Sequence, residues 1–421
     1  MDRERLRRSC GAVLVVALSS FALVGCATPG GAPTNRSVAG AAARSQSFAD
    51  WLVAFKTEAV TQGIQATTVE RAFRGITRNP KIVALDSRQP EFSRPVWAYL
   101  DSAVSKARIA TGRALLRRHR ALLERIAGAY GVAPRYLVAI WGIETNYGRN
   151  MGHFDLFEAL ATLGYQGRRQ AYGRRQLMPA LRILARGDLP RGRMIGSWAG
   201  ALGHTQFVPS TYLRDAVDGD GDGKRDLVDS LADALASTAR YLAAAGWRTG
   251  QPWGYEVRLP AGFDWAEADL AMRKPVAAWG RLGVRRARGG ALPTGDASAA
   301  IYLPAGHTGP AFLVLDNFRA LLRYNNAGSY ALAVGRLADR LAGGGGLVAR
   351  WPRTLAPLSR DDKRVLQNAL VARGYDPGPV DGVVGSRTRA ALRAWQKAAG
   401  LPADGFATLA LLARLRRAPV S

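Results

Sequence analysis

The chain has 421 residues, 48% of them hydrophobic and 22% charged, which is enough for two or three packed domains and excludes a disordered or fibrous protein. Fifty-nine Lys and Arg face thirty-two Asp and Glu, a formal charge of +27 that attracts polyanions: nucleic acid, anionic lipid or an acidic cell wall. No zinc-finger spacing, recognition helix or aromatic RNA-binding signature accompanies the charge, so nucleic acid is set aside as a partner.

The first segment is "MDRERLRRSC" followed by "GAVLVVALSSFALVG". An arginine-rich start and an apolar run of about 15 residues make a signal peptide, too short for a comfortable membrane span. Its end, Leu23-Val24-Gly25-Cys26, resembles the bacterial lipoprotein type, in which cleavage precedes the cysteine and Cys26 is acylated. Ordinary secretion with cleavage near Ala27 is the competing reading. By the same resemblance, Ala27 in place of Asp favours the outer membrane. Cys10 leaves with the signal, so no disulfide is expected in the mature chain.

Residues 27 to 46 are small and polar and read as a tether. Helical periodicity then predicts helices over 48–62, 66–74, 95–111, 114–129 and 134–147, with more near 155–163, 170–186, 208–216 and 229–245. Residues 250 to 315 change texture: "YEVRLP", "AAIYLP" and "AFLVLD" lie between Gly and Pro and read as strands of a small sheet. Helical pattern returns at "NFRALLRYNNAGSYALAVGRLADRLAG". Gly343 to Gly346 mark the best domain boundary, and residues 359 to 417 read as a small module of three helices.

With Leu137 just ahead of "AIWGIETNYGRNMG", Leu137, Ile140, Trp141 and Glu144 fall on one helical face. A carboxylate among such neighbours loses hydration, and its pKa rises toward the value a glycosidic general acid needs. The bland reading is a border glutamate that reaches solvent or pairs with Arg149. Most glycosidases pair two carboxylates. Asp155 and Glu158 are close in sequence, but each reads more readily as a cap or a solvated helix residue.

"DGDGDGKRDLVD", residues 218 to 229, has the spacing of an EF-hand calcium loop. Asp218, Asp220 and Asp222 take positions 1, 3 and 5, Gly223 makes the turn, Lys224 offers its carbonyl, Asp226 takes position 9 and Asp229 stands at position 12 in place of glutamate. The alternative is an Asp-Gly surface turn. A structural Ca²⁺ is the expectation, because clustered carboxylates repel each other unless a cation offsets them.

"AIWGIETNYGRNMG" together with "ALATLGYQGRRQAYGRRQL", "GSWAGALGHTQFVPSTYLRDAVDGDGDGKRDL" and "LLRYNNAGSYALAVGRLADRL" resembles, in order, the membrane-bound lytic murein transglycosylase B family. "LDSRQPEFSRPVWAYLDSAVSKARI" upstream is also similar to it. The likeness covers about residues 48 to 343. It implies an α+β, predominantly α fold: a lysozyme-like catalytic core with accessory helical and small β subdomains, plus a three-helix C-terminal module. It implies cleavage of the N-acetylmuramic acid–N-acetylglucosamine bond of peptidoglycan by one glutamate, matching Glu144, acting as acid and then base to leave a 1,6-anhydromuramoyl end. One carboxylate then suffices, because the attacking C6 hydroxyl is already part of the substrate. Ser197, Gln206, Tyr324 and Asn325 match residues that line the saccharide cleft. Tyr330 reads as packing, and His204 as no more than a cleft contact. A hydrolytic muramidase and a silent wall-binding scaffold are the alternatives.

Residues 361 to 415 resemble a peptidoglycan-binding domain through Leu366-Gln367, Gly374-Tyr375, Asp381-Gly382, Trp395-Gln396 and Asp404-Gly405, with Trp395 in its core. The expected organisation is a signal peptide over 1–25, a lipidated tether over 26–47, a catalytic region over 48–343, a linker over 344–358 and the binding module over 359–417. The expected partners are peptidoglycan strands and, through acylated Cys26, outer-membrane lipid, with the protein a monomer facing the periplasm.

Overall fold

Ser105 breaks what the periodicity reads as one helix over 95–111. Its hydroxyl accepts the Arg108 N–H and starts a new helix, so the chain runs as α4 (Val96–Ala103) and α5 (Lys106–Arg118). The computed structural model describes residues 46–87 and 94–417, and the expected signal peptide and Cys26 lie outside these described residues. Before the break come α1 (Phe48–Thr61), capped by Ser47, then α2 (Ala66–Phe73) and α3 (Pro80–Ser87), which the sequence did not advertise. After it come α6 (Arg120–Tyr130) and α7 (Pro134–Thr145), the latter begun by a proline at its first position.

A two-residue ribbon follows, β1 (Phe154–Asp155) against β2 (Ile195–Gly196), antiparallel, with α8 (Leu156–Tyr165) and α9 (Gln170–Arg186) between them. Then come α10 (Pro209–Asp215) and α11 (Leu231–Ala244), whose cap is Ser230. The small sheet is antiparallel throughout: β3 (Gly254–Arg258), β4 (Lys274–Pro275), β5 (Arg285–Arg286), β6 (Ser298–Tyr302) and β7 (Ala311–Val314), in the order β4-β6-β7-β3-β5. The three strands expected from sequence are its centre. The edge strands β4 and β5 are too short to show a period. Helix α12 (Val276–Arg281) brings Trp279 under one face of the sheet.

Tyr324 ends α13 (Asp316–Tyr324), the chain turns through 325–327, and α14 (Gly328–Leu341) begins. The other face of the sheet, through Ala300, Phe312 and Val314, joins the main core, which α7 and α14 share. From Tyr136 to Gly142 every residue of α7 is buried, so this helix is the centre of the catalytic body and has no solvent side along that stretch. A second core gathers α1, α2, α8 and α9. Among the described residues no single helix is long and apolar enough to cross a membrane.

The terminal module is α15 (Arg360–Val371), α16 (Ser386–Ala398) and α17 (Leu409–Arg417) around Leu366, Leu392, Trp395 and Leu415. Gln367 and Gln396 perform the same task in it. Each carboxamide accepts the glycine N–H of one Asp-Gly turn, Gly382 at 2.9 Å and Gly405 at 2.8 Å, and donates to the aspartate before it. The segment leading to the module is fastened to the catalytic body. Glu256 accepts the Val348 and Ala349 N–H groups, Arg353 pairs with Asp101, and Trp351 lies against Trp97. The module itself docks beside the sheet, with His307 Nδ1 2.6 Å from Asp404 and Arg393 paired with Asp269.

Candidate active site

Glu144 stands in the last turn of α7 and is 5% exposed. Burial pushes its carboxyl up to about 8, while the hydrogen bond from Tyr330 pulls the other way. Tyr330 Oη donates to Glu144 Oε1 at 2.6 Å. No ion pair forms with Arg149, and no second carboxylate adds to the shift. The other two acids near in sequence have structural work. Asp155 caps α8 and pairs with Arg191, and Glu158 accepts from Asn79 at 2.8 Å.

Tyr330 is therefore more than the packing residue its spacing suggested. Counting five residues from Asn325 along a continuous helix put it on the wrong face. The helix in fact stops at Asn325 and restarts at Gly328, which returns Tyr330 to the glutamate. Tyr99 was also missed. Its buried hydroxyl has no hydrogen-bond partner, and the charge of Glu144 adds to the burial that raises it.

The chain beyond Glu144 is strained. Asn146 and Tyr147 are left-handed at φ 50° and 63°, and with Gln206 at 56° they are the non-glycine residues of positive φ among those described. Tyr147 is held there by its ring, which fills the space a side chain at Gly142 or Gly112 would occupy, and by its hydroxyl, which donates to the Arg108 carbonyl at 2.8 Å. Thr145 Oγ1 accepts the Gly148 N–H at 2.9 Å and donates to the His204 carbonyl at 2.7 Å.

His204 acts as a strut. Its Nδ1 accepts from Trp141 Nε1 at 3.1 Å, which places its proton on Nε2, and burial lowers its pKa so that it stays neutral. It joins the loop of residues 197–207 to α7. In that loop Ser197 is buried, its Oγ accepting the Ala201 N–H at 3.0 Å. Gln206 Nε2 donates to the Met151 and Gly203 carbonyls, and its Oε1 is buried with no partner. Tyr324 Oη donates to the Thr205 carbonyl at 2.6 Å, and Asn325 Oδ1 is a second buried acceptor without a partner. Tyr330 touches Glu144, the charge of Glu144 acts on Tyr324 and Tyr99, and the loop that carries Ser197 and Gln206 is tied to α7 through Thr145 and Trp141.

The acidic loop departs from its expected ligand set. Oxygens of Asp218, Asp220, Asp222 and Asp233 lie within 4.8 Å of one another. Asp229 is not among them, because it pairs with Arg193. Asp226 turns its Oδ1 to the Val228 and Asp229 N–H groups, and the Lys224 N–H donates to Asp222. Sequence spacing could not foresee Asp233, which lies past position 12 on α11. The N–H groups of Gly223 and Gly221 hold the Asp218 carboxyl below its usual range. Four carboxylates with converging oxygens, one of them fully buried, are a donor set that fits a hard divalent cation.

Two family models match the chain: the transglycosylase SLT domain over residues 47–339, more than half its length, and the peptidoglycan binding domain over residues 359–415. The chain is 30% identical over 257 residues to membrane-bound lytic murein transglycosylase B of Escherichia coli (strain K12), covering 58% of this chain and 66% of that one, just under two thirds of its length. Crystal structures of SltB3 from Pseudomonas aeruginosa, in complex with NAG-anhNAM-pentapeptide and with NAG-NAM-pentapeptide, are 54% identical to it with a TM-score of 0.86, over 88% of this chain and 100% of theirs. The Escherichia coli transglycosylase Slt35 in complex with calcium is 28% identical with a TM-score of 0.60, over 69% of this chain and 92% of its own.

Proposed function

The chain belongs to the lytic transglycosylase SLT family, and from that membership we propose that it cleaves the N-acetylmuramic acid–N-acetylglucosamine bond of peptidoglycan through Glu144 alone. The observation that carries the reading is a single buried glutamate whose carboxyl is raised to about 8 with no other acid beside it. Burial keeps it protonated at neutral pH, so it delivers a proton to the glycosidic oxygen as that bond breaks. The carboxylate so formed is held by the Tyr330 hydroxyl, and it then takes the proton of the muramoyl C6 hydroxyl as that oxygen bonds to C1. The proton given equals the proton taken, and no water is consumed. The unpaired acceptors Gln206 Oε1 and Asn325 Oδ1 suit the N–H and O–H donors of an N-acetylated sugar. Mass spectrometry of digested sacculi tests this. The lytic product set is lighter by one water than the hydrolytic one, and a fully hydrated set sinks it.

Calcium is proposed for the loop, held by Asp218, Asp220, Asp222 and Asp233. When bound it supplies charge neutralisation to a structural element and takes no part at Glu144. The terminal module is proposed to hold the enzyme on the wall, which raises the local substrate concentration. Acylation at Cys26 is proposed to tether the chain to the outer membrane, facing the periplasm.

A further inference from the structure

A cavity of about 230 Å³ opens beside the Tyr324–Asn325 pair, between α13 and the core-facing side of the sheet. Its apolar floor includes Leu270, Val314 and Leu322, and its rim carries Arg273, Arg319, Arg323 and Asn326. Nothing in the proposed cleavage uses it.

The rim charges are unequal. Arg273 is spoken for, since its Nη2 donates to Asp316 at 2.6 Å and to the Ser298 carbonyl at 2.5 Å. Arg323 Nη1 donates to the Ala245 carbonyl at 2.5 Å, a neutral partner that leaves its charge uncompensated. Arg319 is exposed and makes no hydrogen bond or ion pair among the described residues. Two guanidinium charges therefore stand over an apolar floor with no carboxylate to meet them. A ligand that fits has one anionic head and small aliphatic groups behind it. Sugars of the glycan backbone do not fit that description. The peptide stem does: its last two residues in a pentapeptide are alanines, two methyl groups ending in a free carboxylate. Asn326, on the rim, directly follows Asn325, one of the residues proposed to line the saccharide site.

We propose that this cavity binds the C-terminal carboxylate of the peptide stem carried by the muramoyl residue, with Arg319 and Arg323 as its anion contacts and the alanine methyl groups on Leu270, Val314 and Leu322. The proposal rests on the peptidoglycan-cleaving reading above and adds to it a preference for uncut stems.

The test is equilibrium binding to full-length protein carrying Glu144→Gln, so that ligands stay intact. Three ligands are compared: NAG-NAM-pentapeptide, the same ligand with a C-terminal amide, and NAG-NAM without peptide. Adding Arg319→Glu should weaken the free-acid pentapeptide about tenfold, in line with replacing an attractive contact to the carboxylate by a repulsive one. Its effect on the amide and on NAG-NAM should be within about twofold of none. Arg319→Ala should give a smaller loss with the same selectivity. If Arg319→Glu weakens all three ligands alike, the arginine contributes only to the general field, and the cavity proposal falls. It also falls if no ligand responds. If the parent protein binds neither NAG-NAM nor its peptide forms, the peptidoglycan reading itself fails, which is a separate and recognisable outcome.

Discussion

Glu144→Gln should stabilise the fold as it abolishes catalysis, and the gain should depend on pH. The ordinary carboxyl value is 4.5 and burial raises it to about 8, so the folded state holds a proton that the unfolded chain releases. A raised carboxyl contributes no penalty below the unfolded pKa, and stability is lost as pH rises through the folded one. At about 1.4 kcal/mol per pH unit, the gap is worth about 5 kcal/mol above pH 9, about 3 kcal/mol at pH 7 and under about 0.5 kcal/mol at pH 4.5. The amide is nearly isosteric and can still accept from Tyr330, but burying it costs roughly 1–2 kcal/mol of its own. That cost does not vary with pH, so it cancels in the slope. Denaturant unfolding of both proteins from pH 4.5 to 8.5, followed on the catalytic body, should show a difference that grows by a few kcal/mol across the range. All other titrating groups are shared and drop out. A difference that stays flat over that range would refute a buried, protonated Glu144.

Tyr330→Phe removes the hydrogen bond that favours the carboxylate, so the Glu144 pKa should rise further and the alkaline limb of kcat/KM should move up, with turnover down roughly tenfold or more. An unmoved limb would deny Tyr330 a role in holding the charge. Calcium should raise the melting temperature and EDTA lower it with little effect on turnover, since the loop is apart from Glu144. Asp218→Asn with Asp220→Asn should abolish that response, whereas Asp229→Asn should keep it, because Asp229 serves Arg193; coincident melting curves in calcium and in EDTA would leave the loop a bare turn. Cys26→Ala should release the protein from membrane fractions, and persistence there would refute the lipid anchor. Asp269→Ala with His307→Ala should undock the module and speed proteolysis within 344–358 several-fold, while unchanged cleavage would show that the Trp351 and Glu256 contacts alone hold it.

The elements that sequence revealed were those with a long period or a sharp stop. Helix α7 was plain from its start at Pro134, although it ends at Thr145, two residues short of the expected 147, and its ordered neighbours carried the family resemblance. The central strands were legible as apolar runs between Gly and Pro. What could not be read was set by contacts distant in sequence. Ser105 looked like one polar residue in a helix until its hydroxyl was seen to cap the next one. Tyr330 reaches Glu144 across 186 residues, through a helix break that a continuous count hides. Asp233 replaced Asp229 in the acidic cluster because Arg193, thirty-six residues away, captures Asp229. Local spacing ranks candidate ligands well, but it does not know which of them another side chain will claim.

The costs in this molecule fall in one place. A carboxyl buried against its solvation, two consecutive left-handed residues after it, a left-handed Gln206, and orphaned acceptors at Gln206 and Asn325 lie at the end of α7, on the loop that Thr145 ties to it and on the turn between α13 and α14. Each is unfavourable by roughly a kcal/mol or more in the free protein. Such costs persist only when the surroundings over-determine them, and here the wedge of Tyr147, the His204 strut and the buried length of α7 do so. Under the proposed reading an N-acetylated sugar would bring donors to the orphaned acceptors and relieve part of the penalty on binding. In the proposed mechanism a charge on Glu144, by contrast, appears only once its proton has left for the glycosidic oxygen, and it is relieved when the carboxylate recovers a proton. The arrangement therefore favours the protonated acid in the resting protein and gives the carboxylate a strong drive to recover a proton from the nearest hydroxyl. With Tyr330 as the sole described partner of that carboxylate, the proposed reprotonation would depend on the substrate, and that dependence is what would let one glutamate serve as both acid and base.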